Sequence, residues 1–244
     1  MEENYDYIIV GAGSAGCVLA NKLSESKKNT VLVIEAGGKD TNLFIHMPSG
    51  YSQIVPKPSK LNYGFETEPE SNTAGRKLFW PRGRGWGGSS SINAMIYTRG
   101  HSSDYDHWRQ LGNPGWSYDD VLPYFKRAEN YEGDGDEEYH GKNGPLNVKK
   151  STRDDDILLD KFIEAGSQAG FPLTNDFNGK QQEGFSRYEH TIKGSKRFSS
   201  ARAYLHPALN RKNLFTKVNI TVDKVIFENK KAIGIEYIDK GKRV

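Results

Sequence analysis

The first part of the chain alternates between apolar runs and a glycine-rich turn. Residues 5–10 (YDYIIV) and 30–34 (TVLVI) are rich in β-branched and aromatic residues, which predicts two buried strands. Between them, Ala15, Leu19 and Leu23 lie four residues apart, so a helix would carry them on one face. Near-continuous apolar strands on either side of a helix are typical of a β–α–β unit in a parallel sheet that is covered on both faces.

The rest of the sequence predicts further helices and strands between loops. Residues 37–78 contain many turn-forming residues and few periodic apolar positions, so we expect long loops there. Ser117 followed by Asp119 and Asp120 is typical of a capped helix start, and a second helix is expected over about residues 156–169. Three apolar segments predict strands near the end of the sequence: residues 214–218, 222–227 and 232–238.

Composition is typical of a globular protein and argues against several classes. The 244 residues include 34 Lys+Arg and 31 Asp+Glu, so the net charge of +3 predicts no nucleic-acid partner. The single cysteine, Cys17, excludes an internal disulfide and argues against a zinc site, and we expect no metal. All apolar runs are strand-sized and no secretory signal is visible, so no transmembrane segment is expected. A cytoplasmic location follows, with peripheral membrane association left open.

The glycines between the two predicted strands have the spacing of a dinucleotide fingerprint, Gly11-x-Gly13-x-x-Gly16. In that fingerprint Gly11 permits the tight turn, Gly13 lets the backbone approach a pyrophosphate, and Gly16 allows close packing of helix on strand. Glu35 follows 19 residues after the last glycine, where its carboxylate can accept hydrogen bonds from both ribose hydroxyls. The fingerprint predicts a dinucleotide site but leaves NAD and FAD open.

A second glycine-rich block, residues 80–93 (WPRGRGWGGSSSIN), favours the larger cofactor. The block lacks the lysine of a phosphate-binding P-loop, because Ser89 directly follows Gly88. No serine in it is flanked by glycines in the way that a hydrolase nucleophile requires. A second glycine-rich backbone close to the first could close over a larger cofactor, so the block indicates FAD rather than NAD.

With these blocks in place, the sequence resembles the glucose–methanol–choline (GMC) oxidoreductases, especially their choline-dehydrogenase-like branch. The similarity rests on the fingerprint with Glu35, on residues 80–93 and on residues 97–108 (YTRGHSSDYDHW). Further matching segments are residues 45–48, 112–117, 140–146, 176–179 and 197–205. The matches follow the family's order over essentially the whole chain.

The resemblance implies an FAD-dependent enzyme that takes a hydride from the CH–OH group of a small alcohol, choline-like or another primary alcohol, onto flavin N5. It leaves the electron acceptor, oxygen or a quinone, open. The implied cofactor-binding residues are Gly11, Gly13, Ser14, Ala15, Gly16, Glu35, Ala36, Arg82, Gly83, Gly88, Ser89, Asn93, Ala94, Met95, Ile96 and Val222.

Within that set the resemblance also implies roles. Residues 88–89 and 93–96 would line the pyrophosphate and the isoalloxazine, and Val222 would touch the adenine through its backbone. Some family members bond the flavin covalently through a histidine in the second glycine block. Ile92 stands at the matching place here, so we expect non-covalent FAD.

Family members are considerably longer than this chain, and their catalytic histidine lies close to the C-terminus. The resemblance therefore implies an N-terminal half that is inactive in isolation, with no catalytic residue identified before Val244. We predict an α/β fold in which residues 1–155 begin a Rossmann-like FAD-binding domain with a parallel sheet. Residues 156–195 would start an α+β substrate-binding domain, and residues 196–244 would return to the incomplete FAD-binding domain.

Two other functions stay open at this point. The chain could be a non-catalytic FAD- or nucleotide-binding module, or an NAD-dependent Rossmann oxidoreductase. The histidines do not discriminate between them, because His101 and His107 lack accompanying ligands and a catalytic partner. For the other four histidines a surface or turn position is expected: His46, His140, His190 and His206.

Overall fold

The computed structural model describes residues 3–150, 156–239 and 241–244. The α-helices are α1 (Ser14–Leu23), α2 (Leu43–His46), α3 (Tyr51–Ile54), α4 (Ser102–Gln110), α5 (Tyr118–Ala128), α6 (Ile157–Gln168) and α7 (His206–Ala208), and a π-helix over Ala201–Leu205 directly precedes α7. The strands are β1 (Tyr7–Val10), β2 (Val31–Glu35), β3 (Phe65–Glu66), β4 (Phe79–Trp80), β5 (Ile96–Tyr97), β6 (Glu129–Tyr131), β7 (Leu146–Lys150), β8 (Glu189–His190), β9 (Ile192–Lys193), β10 (Lys196–Arg197), β11 (Leu214–Val218), β12 (Thr221–Glu228), β13 (Lys231–Asp239) and β14 (Lys242–Arg243). The chain divides into two compact units, Met1–Ala94 with Ser195–Val244, and Met95–Gly194.

A parallel sheet lies at the centre of the first unit, in the strand order β1-β2-β11. Tyr7 and Leu214 both pair with Val31, so β2 has a neighbour on each side. Every residue of β2 is buried, which explains why this strand reads as an uninterrupted apolar run ending at Glu35. Because α1 connects two parallel strands, the predicted β–α–β unit is confirmed.

Smaller elements complete the first unit. Strands β12, β13 and β14 form an antiparallel sheet, and Ile220 just before it packs with Leu32 and Ile34 of β2. The prediction of long loops over residues 37–78 was wrong in part, because this region contains α2, α3 and β3. The side chain of Asn42 caps α2 by accepting a hydrogen bond from the Phe44 N–H, a local signal that hydrophobic periodicity does not report.

The second unit is built on a mixed four-stranded sheet in the order β5-β8-β7-β6. Helix α5 begins as predicted, because the Ser117 hydroxyl accepts from the Asp120 N–H while the Asp120 carboxylate accepts from the Ser117 N–H. Helix α6 covers most of the predicted helix at residues 156–169, and Asp156 caps its first turn. The mixed α/β fold is therefore the one that the sequence predicts.

The compact units divide the chain differently from the predicted domains. Residues 95–150 belong to the second unit, whereas the predicted FAD-binding domain extends through them to residue 155, which lies outside the described residues. The predicted return at residue 196 lies one residue after the unit boundary at Ser195. The division into compact units does not show which ligand either unit binds, so the substrate-binding role of the second unit stays a prediction. Among the described helices, none is both long and apolar enough to cross a bilayer.

Candidate functional site

The fingerprint turn connects β1 to α1 and leaves one side of the helix start open. Gly11 has φ of +93°, which only glycine adopts readily, and its N–H donates to the Ile34 carbonyl at 2.7 Å. Gly13 occupies the N-cap position of α1, and no side chain caps the helix. A Cβ atom on Gly13 would meet no atom within 4 Å. The N–H groups of the first helical turn and the positive end of the helix dipole therefore face space that an anion can enter.

The other face of the same turn is tightly packed. A Cβ atom on Gly16 would lie 1.9 Å from the Gly11 carbonyl oxygen, so α1 sits against β1 at a distance that only glycine allows. Cys17 beside it is fully buried, and its thiol donates to the Ala12 carbonyl oxygen at 3.2 Å. Burial raises the pKa of the Cys17 thiol to about 12. The thiol is thus a packed neutral group, and Ser14 and Ala15 are the exposed residues of the turn.

Glu35 ends β2 with its side chain 5% exposed and hydrogen-bonded to three backbone N–H groups. Oε2 accepts from Ala12 at 2.7 Å, and Oε1 accepts from Gly37 at 2.8 Å and Gly85 at 3.0 Å. A carboxylate has about four lone-pair positions, so it retains capacity for further hydrogen bonds. The predicted ribose ligand therefore also ties the fingerprint turn to the second glycine block.

That second block lies directly against the fingerprint turn. The Gly87 N–H donates to the Ala12 carbonyl at 2.7 Å. A Cβ atom on Gly88 would lie 2.8 Å from the Cα of Gly13, and one on Gly83 would lie 2.1 Å from the Gly88 carbonyl oxygen. The small residues of the block are required because three backbone segments approach one another here. The structure thus brings together the two glycine-rich motifs that lie far apart in the sequence.

The hydroxyl groups of the three serines in the block are used locally. Ser89 Oγ accepts from the Gly83 N–H at 3.2 Å. Ser90 Oγ and Ser91 Oγ donate to the Gly87 and Trp86 carbonyls at 2.6 and 2.7 Å, respectively. These bonds fix the backbone of the block and show no serine–histidine pair of the kind that activates a nucleophile.

The remaining predicted cofactor residues fall in different places. In the first unit Arg82, Ser89, Asn93 and Ala94 are exposed, and Ala36 is half-buried. Val222 on β12 packs against the cluster of Leu32, Ile34 and Ile220. Met95 and Ile96 belong to the second unit, where Met95 is buried with φ of +63° and Ile96 is exposed at the start of β5. The first unit therefore contains all of the predicted cofactor residues except these two.

Ile92, at the position that bears a histidine in covalent family members, is buried among apolar side chains. It packs with Ile45 and Ile54 in a hydrophobic cluster. Ile92 therefore provides no nucleophilic side chain to which a cofactor could be bonded.

Sequence reasoning missed Arg197, which lies 1% exposed beneath the second glycine block. Its Nε donates to the Ile45 carbonyl at 2.8 Å, and its Nη1 donates to Asn93 Oδ1 at 2.8 Å and to the Ser90 carbonyl at 3.2 Å. Burial lowers the pKa of Arg197 to about 10. The only signal in the sequence was that Arg197 belongs to the motif at residues 197–205.

The second unit contains a buried charged cluster that was also missed, and the prediction that His140 lies at the surface or in a turn was wrong. Its Nδ1 lies 3.1 Å from Glu129 Oε2 and its ring stacks on Tyr131. Burial alone would lower the pKa of His140, but hydrogen bonds to Asp176 and Glu129 raise it to about 9. Arg99 joins the cluster through an ion pair with Glu129 at 3.0 Å.

The surface-or-turn expectation was also wrong for His46, His190 and His206, which are half-buried in α2, β8 and α7, and His206 Nε2 lies 2.9 Å from Asp40 Oδ1. His101 caps α4, because its Nδ1 accepts from the Ser103 N–H while Asp104 accepts from the His101 N–H. No group of three or more metal-ligating side chains occurs in residues 3–150, 156–239 and 241–244. The charged cluster around His140 is an internal network of ion pairs that joins Arg99, Glu129 and Asp176.

Comparison with known proteins shows the family to which this chain belongs. The GMC oxidoreductase family model matches residues 5–244. The chain belongs to the GMC oxidoreductase family. An oxygen-dependent choline dehydrogenase of Vibrio vulnificus (strain YJ016) is 48% identical over 240 residues, which are 97% of this chain and 42% of that protein.

Solved structures show the same GMC fold. Pyridoxine 4-oxidase from Mesorbium loti superimposes with a TM-score of 0.92 at 34% identity, over 99% of this chain and 47% of that one. An FAD-dependent oxidoreductase from Chaetomium thermophilum gives a TM-score of 0.89 at 30% identity, over 99% and 43%. The predicted family and fold are confirmed, and this GMC chain spans less than half the length of the relatives it matches.

Proposed function

We propose that this GMC chain binds FAD non-covalently and contributes the cofactor site of an oxidoreductase that acts on the CH–OH group of an alcohol. One observation carries the proposal. The open start of α1 at Gly13, the buried Glu35 carboxylate and the second glycine block meet at one place in the first unit.

The residues present fit the adenosine diphosphate half of FAD. A pyrophosphate would occupy the space beside Gly13, where the N–H groups of Ser14 and Ala15 and the helix dipole favour negative charge. The remaining hydrogen-bonding capacity of Glu35 suits a ribose hydroxyl group, and a carboxylate at this position disfavours a phosphorylated ribose. These contacts alone would suit NAD as well as FAD.

The second glycine block favours FAD over NAD. The block approaches the turn so closely at Gly88 that the fingerprint and the block form a continuous backbone surface. Such a surface extends beyond the pyrophosphate and can support the second half of a larger cofactor. The Chaetomium thermophilum relative, an FAD-dependent oxidoreductase, supports the same choice.

Bound FAD would supply the hydride acceptor, flavin N5, for oxidation of the alcohol carbon. The residues of this chain would bind and orient the cofactor, with Asn93, Ala94, Met95 and Ile96 lining the isoalloxazine. The proton-accepting histidine would lie outside these 244 residues. A choline-like primary alcohol is the proposed substrate class, because choline dehydrogenases are among the relatives. The acceptor, oxygen or a quinone, and a cytoplasmic location also remain proposals.

Titration with FAD tests the cofactor, with NAD as the matched ligand. We expect FAD to quench the tryptophan fluorescence of the purified chain, since Trp86 lies in the second glycine block, at a concentration at least tenfold lower than NAD, which shares only the adenosine diphosphate half. Quenching by NAD alone would favour the NAD-dependent alternative. Absence of a response to either ligand, checked by equilibrium dialysis, would refute the proposed cofactor site.

Activity measurements separate an enzyme portion from a non-catalytic module. The FAD-loaded chain is expected to be inactive with choline and an artificial electron acceptor when assayed alone. We expect activity when the chain is fused to the remaining part of the choline dehydrogenase relative, which supplies the histidine. A folded, FAD-loaded fusion that oxidises no alcohol would favour the non-catalytic module.

A further inference from the structure

The buried arginine beneath the second glycine block is held by two segments of the chain, one at Ile45 and one at Ser90 and Asn93. Arg197 follows directly on Lys196 in β10, and its guanidinium bonds to the carbonyl of Ile45 on α2 and to the backbone of Ser90. Its third bond, from Nη1 to Asn93 Oδ1 at 2.8 Å, is the only one of these to a side chain. A rigid fork of donors placed in this way fixes the orientation of Asn93.

Arg197 is buried without a compensating acid. Burial is the sole cause of its lowered pKa, and no carboxylate pairs with it among the described residues. Its Nη2 is buried and has no hydrogen-bond partner within this part of the chain. A buried charged donor without an acid costs free energy, so the hydrogen bonds that Arg197 does make, including the one to Asn93, hold it in place.

We propose that Arg197 is a positioning residue for the flavin half of FAD: its Nη1 fixes the exposed Asn93, which would contact the flavin. The inference rests on the proposed FAD site. The inference adds to that site a buried cation that belongs to neither the fingerprint nor the second glycine block.

The position of Arg197 favours the flavin half over the adenosine diphosphate half. The protein groups assigned to the pyrophosphate and ribose are the α1 start at Gly13 and the Glu35 carboxylate, and Arg197 bonds to neither. It bonds instead to Ser90 and Asn93, on the side of the block that continues towards the proposed isoalloxazine residues. ADP, which lacks the flavin and ribityl groups, therefore serves as a matched probe.

The experiment compares dissociation constants for FAD and ADP in wild type, Arg197→Met and Arg197→Lys. Arg197→Met removes the charge-assisted hydrogen bond that fixes Asn93, so we expect it to raise the Kd for FAD about tenfold while leaving the Kd for ADP unchanged. Arg197→Lys keeps the charge and a donor, so its Kd for FAD should fall between those of the other two proteins. Lys196→Met removes the exposed neighbouring cation and should match wild type.

The outcomes distinguish this inference from the proposed function. Equal FAD binding by wild type and Arg197→Met would overturn the inference and leave the FAD site intact. An equal loss of FAD and ADP binding would also overturn it, because Arg197 would then support the fold rather than the flavin half. A wild-type chain that binds ADP but shows no additional affinity for FAD would overturn the proposed function, and the inference with it.

Discussion

Nε2 of His140 lies 2.8 Å from Oδ2 of Asp176, inside the second unit. The other ring nitrogen faces Glu129, so both nitrogens meet carboxylate oxygens and both donate when the ring is protonated. The imidazolium form is thus favoured despite burial, and the pKa of His140 rises to about 9. A buried histidine that is charged at neutral pH makes stability depend on pH.

The first prediction concerns the loss of this stabilisation at alkaline pH. Because the pKa of His140 is higher in the folded chain than its usual 6.5, its contribution is fully present below about pH 6.5 and is lost as pH rises through about 9. The shift corresponds to about 3 kcal/mol. We expect the free energy of unfolding in urea to fall by about that amount between pH 6.5 and pH 9.5.

The variant His140→Gln identifies the group responsible. Without an imidazole the fall over this pH range should largely disappear, while stability at pH 6.5 should drop because Glu129 and Asp176 lose their shared cation. His107→Gln changes an exposed histidine on α4 and should retain the wild-type pH dependence. If His140→Gln kept the full alkaline fall, His140 would not be its source.

The second prediction contrasts two glycines of the fingerprint. Gly13 has φ of −73° and open space at its Cβ position. The free energy of unfolding of Gly13→Ala should therefore lie within about 0.5 kcal/mol of that of wild type. Its methyl group would occupy space proposed for the pyrophosphate, so Gly13→Ala should bind FAD at least tenfold more weakly. Gly16→Ala would force a Cβ to 1.9 Å from the Gly11 carbonyl oxygen. Strain of this kind typically costs 1–3 kcal/mol or more, so we expect about 3 kcal/mol of destabilisation.

Thermal unfolding of the FAD-free variants checks the two effects separately from binding. We expect Gly13→Ala to have the same Tm as wild type and Gly16→Ala to have a clearly lower Tm. At a given concentration, FAD should then raise the Tm of wild type more than that of Gly13→Ala. A Gly13→Ala variant that is stabilised by FAD as much as wild type would place the cofactor elsewhere.

The local signals of the sequence predicted the first unit well. Apolar runs, glycine spacing and the acid after β2 depend on residues close in sequence, so β1, α1, β2 and the fingerprint follow directly from them. Ser117 similarly predicts the start of α5 through a capping box within three residues. In these segments the structure is determined by interactions between residues that are close in the sequence.

Contacts between distant segments could not be predicted in this way. Gly85 donates to Glu35 across 50 residues, and Arg197 reaches Asn93 across 104 residues. His140 was misjudged because its carboxylate partners, Glu129 and Asp176, reach it only once the second unit has folded. Histidine has no periodic signature that distinguishes a buried ion pair from an exposed turn.

The third prediction tests the structural role of Glu35. Three backbone N–H groups donate to its carboxylate, and an amide in its place would direct its own N–H₂ group at one or more of them. Glu35→Gln should therefore lower the free energy of unfolding by about 1–3 kcal/mol even without FAD. It should also weaken binding of both FAD and ADP, since the ribose contact belongs to the half that they share.

Urea unfolding of the FAD-free Glu35→Gln variant, beside isothermal titration with FAD and ADP, measures both effects. The exposed Glu25→Gln on the surface near α1 is a control for removing one negative charge. Weakened binding with unchanged stability would mean that Glu35 serves the ribose alone and that its backbone bonds add nothing.

The last prediction concerns how the flavin is held. Covalent attachment requires a nucleophilic side chain, but Ile92 presents only hydrocarbon, and burial keeps the Cys17 thiol protonated with its pKa raised to about 12. The FAD-loaded chain should therefore release all of its flavin when it is denatured by heat, and filtration should recover the yellow colour in the filtrate. Absorbance at the flavin maximum before and after filtration measures the released fraction. Flavin that stays with the denatured polypeptide would contradict this prediction, and the same experiment on Cys17→Ser would then show whether the thiol forms the bond.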